Sequence, residues 1–65
     1  MKNALREARE ASGKTQADVA REIGVAEVMY QRYEYGLAIP RADRALRIAK
    51  ALGTTVERLF SPREL

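Results

Sequence analysis

The sequence contains no cysteine and no histidine, and these two absences exclude several kinds of chemistry. Without cysteine there is no disulfide and no thiolate ligand for a metal ion. Without histidine the chain lacks the usual general base and the commonest metal ligand. Ser12 and Ser61 have no adjacent base, and no two carboxylates are spaced for acid–base catalysis. We therefore predict no enzymatic activity, no cofactor and no metal site.

Long apolar runs are also missing. The first ten residues, MKNALREARE, contain no apolar segment of the kind found in a signal peptide. No part of the chain approaches the roughly 18 consecutive apolar residues of a membrane span. We expect a cytoplasmic protein with no membrane partner. At 65 residues the chain forms a single domain, residues 1–65, that is too small to enclose a pocket, and no small-molecule ligand is evident.

Glycine and proline are scarce, with four and two residues, and they divide the chain into helix-sized pieces. No segment alternates between apolar and polar residues, so no strand is expected. Between the breaks, apolar residues recur at helical spacing. The fold class is therefore all-α, with five short helices. The predicted ranges are about 3–12, 16–23, 26–35 and 42–52, followed by a last turn at 55–60.

Helices this short are marginally stable alone, so their apolar faces must pack together. Asn3 is predicted to cap the first helix, and Thr15 with Asp18 resembles a capping box that begins the second. The residues expected in the core are Leu5, Ala8, Ala11, Val19, Ala20, Ile23, Ala45, Leu46, Ala49, Leu52, Val56, Leu59 and Phe60.

A single glycine, Gly24, separates the second and third helices within TQADVAREIGVAEVMYQRYEYG, residues 15–36. A short turn containing glycine joins two helices at a large angle in the helix-turn-helix arrangement. Gly24 can adopt the left-handed conformation that such a turn needs, and Val25 is expected to pack into the angle. The third helix then keeps one exposed face, which suits a DNA major groove about 12 Å wide.

The third helix has two distinct faces. At about 100° per residue, Tyr30 and Tyr33 point towards the core, with Ala26 on the same side. On this pattern alone, the opposite face fits either a DNA-reading helix or an ordinary solvated surface. The residues on that opposite face are Val28, Gln31, Arg32 and Tyr35, with Glu27 and Met29 on its flanks.

The net charge of +3 arises entirely from the last part of the chain. Residues 1–40 contain six Lys/Arg and six Asp/Glu, whereas residues 41–65 contain six Lys/Arg and three Asp/Glu. A basic excess favours an anionic partner such as nucleic acid. An ordinary solvated surface explains the same excess equally well.

Taken together, these residues resemble the helix-turn-helix domain of Cro/CI-type repressors, also called the XRE family. The match comprises Thr-Gln at 15–16, Val-Ala at 19–20, Gly-Val at 24–25, large residues at 30 and 33, and Glu34-x-Gly36. LREAREASGKTQ upstream and IPRADRALRIAKALGTTVERLF downstream keep the family spacing. The resemblance, over about residues 4–60, implies a compact five-helix lambda-repressor-like fold. Its helix-turn-helix unit would be residues 15–36 and its recognition helix residues 26–35.

The resemblance also implies roles for individual residues. Arginine can pair with guanine, glutamine with adenine, and valine can touch a thymine methyl group. Arg9 and Glu34 match a structural ion pair that joins the first and third helices. The expected base contacts are Glu27, Val28, Gln31 and Arg32, and the expected DNA-backbone contacts are Gln16, Lys14, Tyr35, Arg41 and Arg44.

In function, the resemblance implies a sequence-specific DNA-binding transcriptional regulator, a repressor of bacterial or phage origin. It would bind a palindromic double-stranded operator as a homodimer. The alternative is a protein-interaction module, such as an antitoxin or accessory domain with weak or indirect DNA binding. Salt separates the two, because binding through several phosphates weakens steeply as salt rises. The expected dimer contacts are Thr54, Thr55, Leu59, Phe60 and Ser61.

Overall fold

A computed structural model describes residues 3–60, and within that range it contains five α-helices and no strand. The predicted all-α fold class is confirmed, and the helix bounds differ from the predicted ones by at most two residues. The helices are α1 (Leu5–Ala11), α2 (Gln16–Ile23), α3 (Glu27–Glu34), α4 (Ala42–Leu52) and α5 (Val56–Phe60).

Helix α2 begins with the predicted capping box. Thr15 Oγ1 accepts a hydrogen bond from the Asp18 backbone N–H at 3.0 Å, and Asp18 Oδ2 accepts one from the Thr15 N–H at 3.0 Å. The bond from the Thr15 backbone is the main reason that the pKa of Asp18 is lowered. Two backbone N–H groups at the start of α2 are thus satisfied by side chains of the same turn.

The predicted cap of α1 is displaced by one residue. Ala4, not Asn3, is the N-cap residue, and its side chain makes no capping hydrogen bond. Asn3 acts from one position earlier, because its Oδ1 accepts from the Leu5 N–H at 3.0 Å. Its Nδ2 donates to the Tyr33 carbonyl at 2.9 Å, so Asn3 also joins the start of α1 to the end of α3.

The turn between α2 and α3 has the predicted form. Gly24 is left-handed, with φ 78° and ψ 34°. The N–H groups of Gly24 and Val25 donate to the carbonyls of Arg21 and Ala20, which closes the end of α2. Val25 is half-buried and packs against the core, as expected for a residue in the angle between the two helices.

The predicted apolar face of α4 was wrong at one residue. Leu46, predicted to be buried, is 62% exposed, whereas Ile48 is fully buried. Ala45, Ile48 and Ala49 share a face at spacings of three and four, and Leu46 lies about 100° away from Ala45. The buried hydrophobic residues are Leu5, Val19, Ala20, Ile23, Tyr30, Tyr33, Ala45, Ile48, Ala49, Leu52 and Leu59.

Two alanines predicted to face the core are exposed instead. Ala11 is the last residue of α1, beyond the part of that helix that packs on the core through Leu5 and Ala8. Ala26 is the N-cap of α3 and has extended backbone, φ −66° and ψ 146°, so it does not share the angular position of a helical residue. No side-chain hydrogen bond caps α3 at Ala26.

The helices pack so that α2 lies at the centre. It contacts α3 and α4, while α1 packs on α3 and α5 packs on α4. A backbone hydrogen bond of 3.0 Å from Ala4 to the Leu59 carbonyl joins the two ends of the described chain. Within residues 3–60, no helix has both the length and the apolar character needed to cross a membrane.

The left-handed Gly24 predicts a specific pattern of stability. A Cβ at this position would meet no atom within 4 Å, so the cost of Gly24→Ala is conformational and amounts to about 1–2 kcal/mol. Gly24→Asn should cost less, because asparagine tolerates the left-handed region. Urea unfolding should show a lower midpoint for the alanine variant at an unchanged slope. Equal stability of all three proteins would contradict this description of the turn.

Candidate nucleic-acid interface

Helix α3 buries one side and exposes the other. Tyr30 and Tyr33 are buried in the core, while Val28 on the opposite side is 61% exposed. Arg32 is exposed, and its guanidinium makes no hydrogen bond or ion pair with any residue between 3 and 60. We define the outer face of α3 as Glu27, Val28, Gln31 and Arg32, which the structure brings together on one surface.

One residue of this outer face is held in place from α2. Gln31 Nε2 donates to Gln16 Oε1 at 3.1 Å, and Gln16 Nε2 donates to Glu34 Oε2 at 3.1 Å. Gln16 Nε2 also lies 3.4 Å from the hydroxyl of Tyr35, which is at the end of α3. The amide of Gln31 is thus oriented by α2, and the side chain of Gln16 is engaged within the protein.

The predicted ion pair between α1 and α3 is present. Arg9 Nε and Nη2 donate to the two carboxylate oxygens of Glu34 at 2.8 and 3.0 Å. Arg9 Nη1 donates to the Lys14 carbonyl at 3.0 Å, which adds the loop between α1 and α2 to the contact. The side chains of Arg9 and Glu34 are 13% and 1% exposed, so this bidentate pair is shielded from solvent.

The electrostatics around Glu34 favour its charged form. Burial would raise the pKa of Glu34, but the Arg9 guanidinium, the neighbouring Tyr30 hydroxyl and Gln16 stabilise the carboxylate, and its pKa is lowered. The hydrogen bond to Glu34 raises the pKa of Arg9. Burial, and then the Glu34 carboxylate, raise the pKa of the Tyr30 phenol. That hydroxyl is buried without a hydrogen bond of standard geometry.

The residues expected to contact the DNA backbone differ in solvent exposure and in their hydrogen bonds within the protein. Arg41 is exposed at the N-terminus of α4, and its side chain makes no capping hydrogen bond. Arg44 donates through Nη1 to the Tyr33 hydroxyl at 2.9 Å, which raises the pKa of Arg44. Tyr35 is 60% exposed. Each of the three still presents part of its side chain to solvent.

Lys14 is engaged by contacts within the protein. Its Nζ lies 3.0 and 3.1 Å from the two carboxylate oxygens of Glu22 and donates to the Ala51 carbonyl at 2.6 Å. An ammonium group has three donors, and these contacts engage all of them. Lys14 therefore joins α2 to the end of α4, and a phosphate contact through this side chain would have to replace one of these partners.

The residues expected at a dimer interface differ in how exposed they are. Leu59 is 2% exposed and belongs to the monomer core, so its predicted interface role is wrong. It faces inward because α5 is one short helix that packs on α4 through this residue. Thr55 is exposed, and Thr54 and Phe60 are half-buried. Ser61 lies outside the described residues.

A model of the family described as helix-turn-helix matches residues 5–59. The chain belongs to this family. The match includes all five helices apart from the last residue of α5, and the predicted resemblance to XRE-type domains is confirmed.

A curated relative is similar over most of the chain. The cryptic phage CTXphi transcriptional repressor RstR of Vibrio cholerae serotype O1 is 37% identical over 59 residues, which is 91% of this chain and 53% of that protein. The chain thus spans about half the length of this relative.

Several contacts at the interface were not predicted from the sequence. They include the Gln16–Gln31 hydrogen bond, the contacts of Lys14 with Glu22 and Ala51, and the Arg44–Tyr33 hydrogen bond. Each joins two different helices or a loop and a helix, so it depends on how these elements cross. Within residues 3–60, no group of acidic residues is placed to hold a metal ion.

The Arg9–Glu34 pair predicts a large loss of stability when one partner is neutralised. Glu34→Gln should lower the free energy of unfolding by about 3 kcal/mol, because it leaves a shielded guanidinium without its counter-charge. The same change in the exposed pair of Arg6 and Glu10, Glu10→Gln, is the matched control and should cost less than about 0.5 kcal/mol. Equal effects of the two substitutions on urea unfolding would contradict the assigned role of Glu34.

The pH dependence of stability checks the same contact. The folded-state pKa of Glu34 lies below its ordinary 4.5. The contribution of Glu34 to the free energy of unfolding is therefore complete above pH 4.5 and is lost as the pH falls through the folded-state pKa. Glu34→Gln should flatten the decrease in stability at acidic pH, and the lowered pKa of Asp18 should account for part of what remains.

Proposed function

We propose that this chain binds double-stranded DNA sequence-specifically and regulates transcription as a repressor. It would act in the bacterial cytoplasm and be of bacterial or phage origin. The observation that supports this most strongly is the outer face of α3, where exposed Arg32 and Val28 stand opposite the buried tyrosines. A helix held in this way can enter the major groove of DNA. Membership of the helix-turn-helix family supports the same function.

The named relative adds support for the regulatory role. It is described as a transcriptional repressor, and its similarity extends over 91% of the present chain. The match covers 53% of that relative. From the relative we therefore extend to the present chain only DNA binding and repression, the functions of a helix-turn-helix domain. We retain the single-domain interpretation, since all five helices share one core.

Base recognition would come from the outer face of α3. The Arg32 guanidinium has no partner among residues 3–60 and can bind guanine O6 and N7, while Val28 can touch a thymine methyl group. Gln31 keeps its orientation through Gln16, which would lower the entropic cost of placing its amide against a base. Glu27 can accept a hydrogen bond from cytosine N4.

Phosphate contacts would come from both sides of α3. The N–H groups of Gln16 and Ala17 donate to no backbone acceptor within residues 3–60, and the positive end of the α2 dipole lies there. Arg41 is exposed at the start of α4, and Arg44 and Tyr35 are partly available nearby. These contacts would provide affinity without selecting a sequence.

We propose a homodimer on a two-fold symmetric operator. One helix of eight residues contacts only a few base pairs, which gives little selectivity among the many competing sites of a genome. Two copies bound one helical turn apart, about 34 Å, would read both halves of a palindrome. Thr54, Thr55 and Phe60 remain candidates for the contact between the copies.

A protein-interaction module remains the second candidate, and one observation favours it. Leu37 and Ile39, in the connection between α3 and α4, are both 69% exposed. Exposed aliphatic side chains this close together suit a protein surface better than a phosphate backbone. We infer no enzymatic role, because the shielded Arg9, Glu34 and Tyr30 lie inside the fold and not in an open cleft.

Selection from a pool of random DNA tests the proposed function directly. The chain should enrich one short motif, and two-fold symmetry in that motif would support the dimer. Binding to the selected duplex should weaken steeply between low and moderate salt. Failure to enrich any sequence at low salt would contradict DNA recognition and leave the protein-interaction function.

Arg32 should determine sequence preference. Arg32→Ala should cost about 1–3 kcal/mol in affinity for the selected site and relax the preference at one base pair. Arg58→Ala, at an exposed arginine of α5, is the matched control and should leave the motif unchanged. If the Arg32 variant enriched the same motif as the unmodified chain, the assignment of α3 would be wrong.

Arg41 should contribute affinity but no selectivity. Arg41→Ala should weaken binding to all duplexes alike and reduce the slope of log affinity against log salt by about one, since one phosphate contact is lost. Titrations of selected and scrambled duplexes at several salt concentrations measure both quantities. A change in preferred sequence, or an unchanged salt slope, would exclude the proposed phosphate contact.

A further inference from the structure

A groove lies between α4 and α5, apart from the outer face of α3. Its volume is about 580 Å³, and it is open to solvent. Leu46, Ala49 and Val56 provide its apolar lining, and Leu46 is 62% exposed. The remaining lining residues are Arg47, Lys50, Thr54, Thr55 and Glu57.

The groove is independent of the proposed DNA contacts. No residue of α2 or α3 lines it, and neither does any residue of the loop that joins α3 to α4. A molecule bound there would leave the outer face of α3 free. Leu46 lies outside the core of the monomer, because it is about 200° around α4 from the buried Ile48.

We propose that a second copy of this chain occupies the groove, so that the dimer forms around Leu46. Leu46 of each copy inserts into the groove of the other, and Glu57 of each copy faces the partner's Arg47 and Lys50. This inference rests on the proposed function, because it names the protein contact through which two copies share one operator.

Self-complementarity is the first argument for this occupant. A two-fold interface uses the same patch on both copies, so the patch must contain both the projecting group and the recess that receives it. Here exposed Leu46 stands beside a recess lined by Ala49 and Val56. A partner of another kind would need only the recess.

The charges of the rim are the second argument. Arg47, Lys50 and Glu57 are exposed and form no ion pair within residues 3–60. Across a two-fold axis the anion of each copy can face the cations of the other, which fixes the alignment of the two surfaces. Thr54 and Thr55 lie in the same lining, so the groove is continuous with the dimer contacts expected from the family.

The burial of Leu59 is the third argument. The interface predicted from the sequence placed its apolar contacts at Leu59 and Phe60, but Leu59 is buried in the core at 2% exposure and Phe60 is half-buried against it. Leu46, at 62% exposure, supplies a more exposed apolar side chain on the same side of the domain as Thr54 and Thr55. The groove and its rim would bury less than the roughly 1,600 Å² of a standard interface, so the dimer is weak in solution. DNA strengthens it, because the operator holds both copies at adjacent half-sites.

Three variants test the groove. Leu46→Glu places a charge at its centre, Glu57→Arg makes the rim entirely basic, and the double substitution Arg47→Glu with Lys50→Glu makes it acidic. All four positions are exposed, so the fold should persist, and thermal unfolding verifies this. Binding is measured on a duplex with the full selected site and on one with a half-site, and self-association by sedimentation at high protein concentration.

The unmodified chain should bind the full site about 100-fold more tightly than the half-site. Leu46→Glu should keep half-site affinity and lose this preference. The two charge variants should each fail to pair alone and should form a mixed dimer when combined, which a merely destabilising substitution would not do. A full-site preference that survives Leu46→Glu, or a mixture that forms no mixed dimer, overturns the proposal in favour of another occupant.

The same experiment separates this inference from the proposed function. Specific half-site binding by all variants, with no dimer in any of them, overturns the groove contact and leaves DNA recognition intact. Mixed-dimer formation in sedimentation, with no DNA binding at any salt concentration, supports the groove contact and overturns the proposed function.

Discussion

The bidentate ion pair between Arg9 and Glu34 is the interaction on which the rest of this structure depends. The domain is small and its helices have between five and eleven residues, so few apolar contacts hold each helix in place. Two parallel hydrogen bonds between charged groups fix the direction as well as the distance between α1 and α3. Removal of either partner would leave an uncompensated charge in a shielded position.

The same carboxylate links the fold to the proposed DNA surface. Glu34 accepts from Gln16, and Gln16 accepts from Gln31, so a chain of hydrogen bonds runs from α1 to the outer face of α3. Glu34 is also the last residue of α3. The position of the short helix α3 is thus set at its end by electrostatics and along its length by the buried Tyr30 and Tyr33. Such restraint lowers the cost of presenting side chains to a ligand.

Local features of this fold could be predicted from the sequence, and features that depend on helix crossing could not. The capping box at Thr15 and the turn at Gly24 involve neighbouring residues, and both are present. Resemblance to the family located the Arg9–Glu34 pair, although 25 positions separate its members. In α4, however, both Leu46 and Ile48 are apolar, and only packing decides which is buried. The contacts of Lys14 and Gln31 could not be predicted for the same reason, because they depend on how the helices pack.

Chemical-shift mapping of backbone amides during titration with a selected duplex tests most directly whether the outer face of α3 binds DNA. We expect the largest changes at Val28 and Arg32 on α3 and at Gln16 and Ala17 at the start of α2, all diminishing as salt rises. Residues in the groove between α4 and α5 should respond only when the duplex contains both half-sites. Changes confined to α4 and α5 on a half-site duplex, with none in α3, would contradict DNA binding through the outer face of α3.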